Sequence, residues 1–131
     1  MFGILEYHYG VKLFSIVGAL LGFLGVAAGA FGGHALKKIL SQEMLSIYEV
    51  GVRYQMYHVL ALFASAWACT HFANHFSAAS GWFFIAGTFL FSGSLYALSL
   101  TGIRSLGAIT PIGGVLLLAG WILLAIGILR G

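Results

Sequence analysis

Between Tyr54 and Ile103 the chain has no Asp, Glu, Lys or Arg, and between Ser105 and Leu129 it again has none. A soluble fold covers its surface with polar side chains, and an average domain carries roughly 25% charged residues. This chain carries 7%. Each uncharged run is longer than the roughly 20 apolar residues that one helix needs to cross a bilayer. The pattern predicts an all-α, polytopic membrane protein. A hydrophobic fraction of 61% and a mean hydropathy of +1.04 agree with it, and 131 residues suffice for a single domain.

Four transmembrane helices are predicted, over about residues 11–33, 53–72, 81–100 and 106–129, packed as a glycine-rich bundle. In the first, Gly18, Gly22, Gly25, Gly29 and Gly32 recur at spacings of four and three, which puts them on one helical face. A seam of small residues lets a second helix approach closely, and close approach is what drives helix association in lipid. Gly113, Gly120 and Gly127 form a second seam at seven-residue spacing. Ala28-Gly29-Ala30 resembles a signal-peptidase site, but the apolar run from Val11 to Gly33 is longer than the 7–15 residues of a signal-peptide core, so a retained first helix is expected rather than a cleaved leader.

Residues 1–9 read as a short amphipathic lead-in, with Tyr7 and Tyr9 as interface anchors. Residues 35–52 hold Lys37, Lys38, Glu43 and Glu49 among apolar side chains, which predicts a short interfacial helix between spans one and two that feeds directly into the second span. Ser41 is its expected N-cap, with Glu43 in the first turn. Glu49 and Arg53 are four apart and can pair if the helix continues. Residues 73–80 read as a turn. Pro111 either bends the fourth span or sits in its first turn.

The first and third connections carry Lys37, Lys38, Arg53 and Arg104, against Lys12 and Arg130 on the other side. The excess of positive charge places those two connections in the cytoplasm and both termini outside. The sequence pI of about 9.3 rests on these flanking residues. They form no basic patch, so nucleic acid is not an expected partner. Cys69 is alone, which excludes a disulfide framework, and is expected as a small buried side chain.

Four motifs occur in order: Gly29-Ala-Phe-Gly-Gly-His-Ala-Leu-Lys37, Gly51-Val-Arg-Tyr-Gln-Met-Tyr-His58, Phe91-Ser-Gly-Ser-Leu-Tyr96 and Ile109-Thr-Pro-Ile-Gly-Gly114. Together they resemble the transmembrane protein 256-like family, catalogued in bacteria as domain of unknown function 423. The resemblance covers nearly the whole chain. It departs at Gly32-Gly33-His34, where the family typically has Gly-Ala-His, and the lead-in is slightly longer than usual. The resemblance implies a small four-span protein of the bacterial inner membrane and carries no activity with it.

An even number of crossings returns the chain to the same side. His34, Arg53, Tyr54, Gln55, His58, Arg104 and Thr110 are therefore expected near one face of the membrane. Polar groups at membrane depth are costly and mark candidate sites. The alternative is a satisfied network of Arg53, Tyr54, Gln55 and His58 that fixes helix register. As a site, the face offers cations for an anionic lipid head group, two histidines for a haem or metal, or His58 for a proton relay. Two histidines with no carboxylate or cysteine complete no metal set, and spans without Asp or Glu lack the usual relay partner. His71 and His75 are four apart and could form a metal clip on a continuous helix, but Asn74 and the serines after it predict a solvated turn there. No Ser–His–acid set, paired carboxylates or nucleotide loop is present, so no enzyme, cofactor or metal is expected. The first expectation is a structural, accessory or lipid-contacting membrane protein, with the bilayer, another copy or a membrane-protein partner as its contacts. The runner-up is a small transporter or channel subunit that uses the Arg53/His58 face.

Overall fold

A computed structural model describes residues 2–131, with side chains from Tyr7 onward. All elements among the described residues are helical. Helix α1 spans Phe2–Ala27, continues through one π-helical turn, Ala28–Gly32, and ends in a short α2, Gly33–Leu36. After a tight turn comes α3, Gln42–Phe72, then α4, His75–Thr101. A 3-10 turn, Arg104–Ala108, leads into α5, Thr110–Arg130. Three stretches are long and apolar enough to cross a membrane: Tyr7–Leu36, His75–Thr101 and Arg104–Arg130. Helix α3 falls short of that apolar standard because Gln55, His58, Ser65, Thr70 and His71 interrupt it.

The helices pack in chain order, α1 on α3, α3 on α4 and α4 on α5. Among the described residues α1 and α5 do not meet, so the expected bundle is an open one. The core follows this row. Phe14, Leu62, Cys69 and Phe84 are almost wholly buried between the helices.

The seams explain the close approaches. A Cβ on Gly18 would stand 3.3 Å from the Phe63 ring and one on Gly29 3.1 Å from Val52, while Gly25 would meet the Met56 sulfur. The glycine face of α1 thus lies along α3. On α5, a Cβ on Gly120 would stand 2.7 Å from the Phe84 ring and one on Gly127 2.6 Å from Ser77 Oγ, and Gly113 lies against the Phe91 backbone. That second face lies along α4.

Several local expectations are corrected. Residues 2–9, expected as a lead-in, belong to α1. The interfacial helix expected over residues 35–52 starts later, at Gln42, and feeds directly into the second span as expected. Residues 42–52 are the opening turns of the unbroken 31-residue α3, whose length of about 46 Å exceeds a ~30 Å hydrocarbon core. Ser41 does cap it, accepting from the Met44 N–H at 3.2 Å. The turn at 73–80 shrinks to Ala73–Asn74, because the Asn74 side chain caps α4 by accepting from the Ser77 N–H at 3.1 Å. Pro111 sits in the first turn of α5, where its missing N–H costs nothing.

Candidate functional site

The end of α1, the start of α3, the end of α4 and the start of α5 meet at one end of the molecule. Three contacts tie them. Tyr48 Oη donates to Ala28 O at 2.7 Å, Ser94 and Thr110 hydroxyls pair at 2.6 Å, and Arg104 forms a two-pronged pair with Glu43 at 3.1 and 3.2 Å. The last is the one ion pair among the described residues, so Glu49 does not hold Arg53 as its spacing allowed. The Glu43 carboxylate raises the Arg104 guanidinium above its ordinary range, chiefly through the hydrogen bond. Both side chains are largely exposed, so the pair adds little to stability.

The π turn gives the Gly29–Gly33 motif its local logic. Widening the helix by one residue makes the Gly33 N–H reach Ala28 O, and the same carbonyl takes the Tyr48 hydroxyl. A side chain on Gly32 would collide with that hydroxyl. Single π turns in α-helices are frequent where a helix has been shaped for a specific contact.

The residues expected to form one polar face divide into two sets. Gln55 is buried and points toward α1 and α4. Its Nε2 donates to Leu21 O at 2.7 Å and its Oε1 accepts from Tyr96 Oη at 2.6 Å. One amide therefore ties three helices. His58 is buried on the other side, toward α4 and α5. Its Nδ1 lies 2.6 Å from Tyr54 O, and its Nε2 lies 3.2 Å from Trp121 Nε1. A carbonyl only accepts and an indole N–H only donates, so the ring is held as the neutral tautomer with the proton on Nδ1. Tyr54 packs over Phe91, with ring centroids 4.7 Å apart, and Phe84 closes the inner side of the imidazole.

His34, Arg53 and Arg104 are exposed and do not reach His58. His71 closes α3 and His75 opens α4, so they do not share a helix. His71 is taken up by Thr70 and by Trp67 O. Among the described residues no three His, Cys, Asp or Glu side chains lie close enough to hold a metal. Two features escaped sequence reasoning. Trp121 is the partner of His58, and Tyr96 is the partner of Gln55. Spacing within one helix carries no information about either.

Two grooves flank the α3–α4 pair. One, of about 580 Å³, lies between α3 and α5 and is lined by Tyr54, Tyr57, His58, Pro111, Leu118 and Trp121, with Phe91 behind. The other, of about 380 Å³, lies between α1 and α4, with Leu21, Leu24 and Phe89 as walls and Gln55, Thr88 and Ser92 lining it.

A family model described as "Protein of unknown function (DUF423)" matches residues 28–114. The UPF0382 membrane protein YwdK of Bacillus subtilis is 43% identical over 74% of this chain and 80% of its own length. A UPF0382 membrane protein of Staphylococcus haemolyticus is 47% identical over 74% and 79%. The UPF0382 inner membrane protein YgdD of Escherichia coli is 41% identical over 68% of each. No solved structure matches the chain.

Proposed function

Since the chain belongs to the DUF423 family, whose Bacillus subtilis and Escherichia coli relatives are named as membrane proteins, we propose that it is a non-enzymatic four-span protein of the bacterial inner membrane that acts as a lipid-contacting or accessory subunit. The observation that carries this reading is the saturation of His58. A ligand for metal or haem needs a free ring nitrogen, and a proton shuttle needs one that can exchange. Here Tyr54 O and Trp121 Nε1 occupy both. The imidazole works as a peg between α3 and α5, two helices that otherwise touch little. The name of the Escherichia coli relative supports the inner-membrane location.

In this reading α3 crosses the bilayer too, its buried polar side chains Gln55, His58 and Ser65 turned onto α1, α5 and α4. Its first three turns project beyond the hydrocarbon. The 21-residue α5 measures about 32 Å and matches the core thickness. Arg53 and Tyr57 share one face of α3 at the membrane boundary, with Lys37 and Lys38 near the same end. They suit an anionic phospholipid whose chain lies in the α3–α5 groove. The first and third connections face the cytoplasm and both termini face outward.

The test combines a stability and a transport measurement. His58→Ala is expected to lower the melting temperature in detergent. A variant that melts like wild type, yet abolishes an ion or solute flux seen with wild-type proteoliposomes, would replace this reading with the transporter one.

A further inference from the structure

Helix α4 carries its hydroxyl side chains in a consistent pattern. Ser80, Ser94 and Ser99 each donate to the carbonyl three residues back, at 2.7, 2.9 and 3.0 Å. Thr101 donates to Ala97 O at 2.5 Å. Ser77 donates to its cap, Asn74 Oδ1, at 3.3 Å, and Ser92 crosses to Gly51 O at 2.7 Å. Thr88 is the exception. Its side chain is buried, with 3% exposure, and its Oγ1 is the one buried side-chain polar atom among the described residues without a hydrogen-bond partner.

Its position makes that costly. Thr88 sits midway along α4, one of the three helices long and apolar enough to cross a membrane. At such depth no water offers a partner, and an unsatisfied hydroxyl in an apolar medium costs several kcal/mol by transfer measurements. Thr88 also lines the groove between α1 and α4. Gln55 lines the same groove with one amide hydrogen still unspent, since its Nε2 makes a single bond to Leu21 O and Tyr96 occupies Oε1.

We propose that the α1–α4 groove binds an uncharged, membrane-soluble molecule through one carbonyl oxygen, which accepts from both Thr88 Oγ1 and Gln55 Nε2. The chemistry narrows the class. The spare Gln55 N–H can only donate, and the Thr88 hydroxyl, which can donate or accept, can donate to the same atom, so the ligand supplies an acceptor, and a carbonyl oxygen has two lone pairs to meet both. No charged side chain lines the groove, so a carboxylate or phosphate there would be buried without a counter-charge. The walls of Leu21, Leu24 and Phe89 suit an alkyl or polyprenyl tail. A volume of 380 Å³ holds about a dozen units the size of a water molecule at ~30 Å³ each. The occupant is a long-chain ketone or quinone-type lipid in the bilayer, its carbonyl at mid-membrane and its tail along α1. This site is independent of His58, which faces the opposite groove.

The experiment uses the full-length protein in nanodiscs and a twelve-carbon methyl ketone carrying a chain diazirine. The matching hydrocarbon and the matching carboxylic acid serve as controls. Photolabelling by the ketone is expected to saturate and to map to residues 21–28 and 88–96. The hydrocarbon and the acid should need at least threefold more probe for half-labelling. Thr88→Val, which keeps the shape and removes the donor, should raise the ketone requirement about three- to tenfold, the worth of one net hydrogen bond. Its melting temperature should stay equal to or above wild type. Thr88→Ser should label as wild type. Gly93→Phe, which adds a ring where a Cβ meets nothing within 4 Å, should abolish labelling. Equal labelling by ketone and hydrocarbon, or by wild type and Thr88→Val, would overturn the proposal.

Discussion

The Trp121 indole N–H donates to His58 Nε2 at 3.2 Å across 63 positions of sequence, and it joins α3 to α5, two helices that otherwise touch little. The bond decides the tautomer of the histidine and with it the chemistry open to that ring. Trp121→Phe keeps most of the ring and deletes the donor, so it should cost about 1 kcal/mol. His58→Ala removes packing as well and should cost about 2–3 kcal/mol. The pair in contact should be non-additive by 0.5 kcal/mol or more. Thermal melts of the two single variants and the double variant measure this. Strict additivity would show that the contact contributes nothing.

Tyr48 and Gly32 make a second coupled pair. Tyr48→Phe frees Ala28 O from its hydroxyl and should destabilise by about 1 kcal/mol. Gly32→Ala places a methyl against that hydroxyl and should destabilise as well, by about 1–3 kcal/mol. Since Tyr48→Phe removes the atom that the methyl strikes, the double variant should be more stable than the sum of the two losses predicts. A double variant at or below that sum would rule out the contact as the reason for Gly32.

Two adjacent glycines on α5 give a sharp contrast. A Cβ on Gly113 runs into the backbone of Phe91, which cannot yield without moving α4. One on Gly114 meets nothing nearer than the Phe91 ring at 3.7 Å. Gly113→Ala should destabilise by about 2 kcal/mol or more, while Gly114→Ala should be neutral or gain up to about 1 kcal/mol from helix propensity. Denaturation in mixed micelles distinguishes them, and equal losses at both positions would contradict the packing described.

Gln55→Leu should be more damaging than its single position suggests. It strips Tyr96 Oη of its acceptor inside the helix cluster and unties α1 from α3, at about 1–3 kcal/mol. Glu43→Gln, by contrast, removes the only ion pair among the described residues and should leave the melting temperature unchanged, because both partners stand in solvent. A large loss at Glu43 with none at Gln55 would invert the assignment of what holds the helices together.

Much of this was legible in the chain. The helix faces that carry Gly18, Gly25 and Gly29, and Gly113, Gly120 and Gly127, follow from spacing alone. So does the cap at Ser41, because all are properties of one helix, whereas Pro111 allowed a bend or a first turn until the start of α5 at Thr110 decided for the second. The extent of the helices was not. Residues 2–9 and 42–52 carry polar side chains that mark membrane edges, and hydropathy reads an edge as an end although the backbone hydrogen bonds run on. The Glu49–Arg53 spacing was sound geometry for an isolated helix. Arg104 reaches Glu43 instead, and that partner is 61 positions away.

What the sequence determined by itself is the solvent. Uncharged runs of such length leave helices in lipid as the only way to satisfy every backbone group, and small residues at helical spacing fix which faces can pack. What only the tertiary structure decided is the use of the polar side chains. It turned Gln55 and His58, three residues apart on one helix, toward opposite neighbours. It saturated one imidazole and left one threonine hydroxyl empty. Hydrogen bonds between helices depend on rotation and depth to within an ångström or two, and no periodicity along a single chain encodes that.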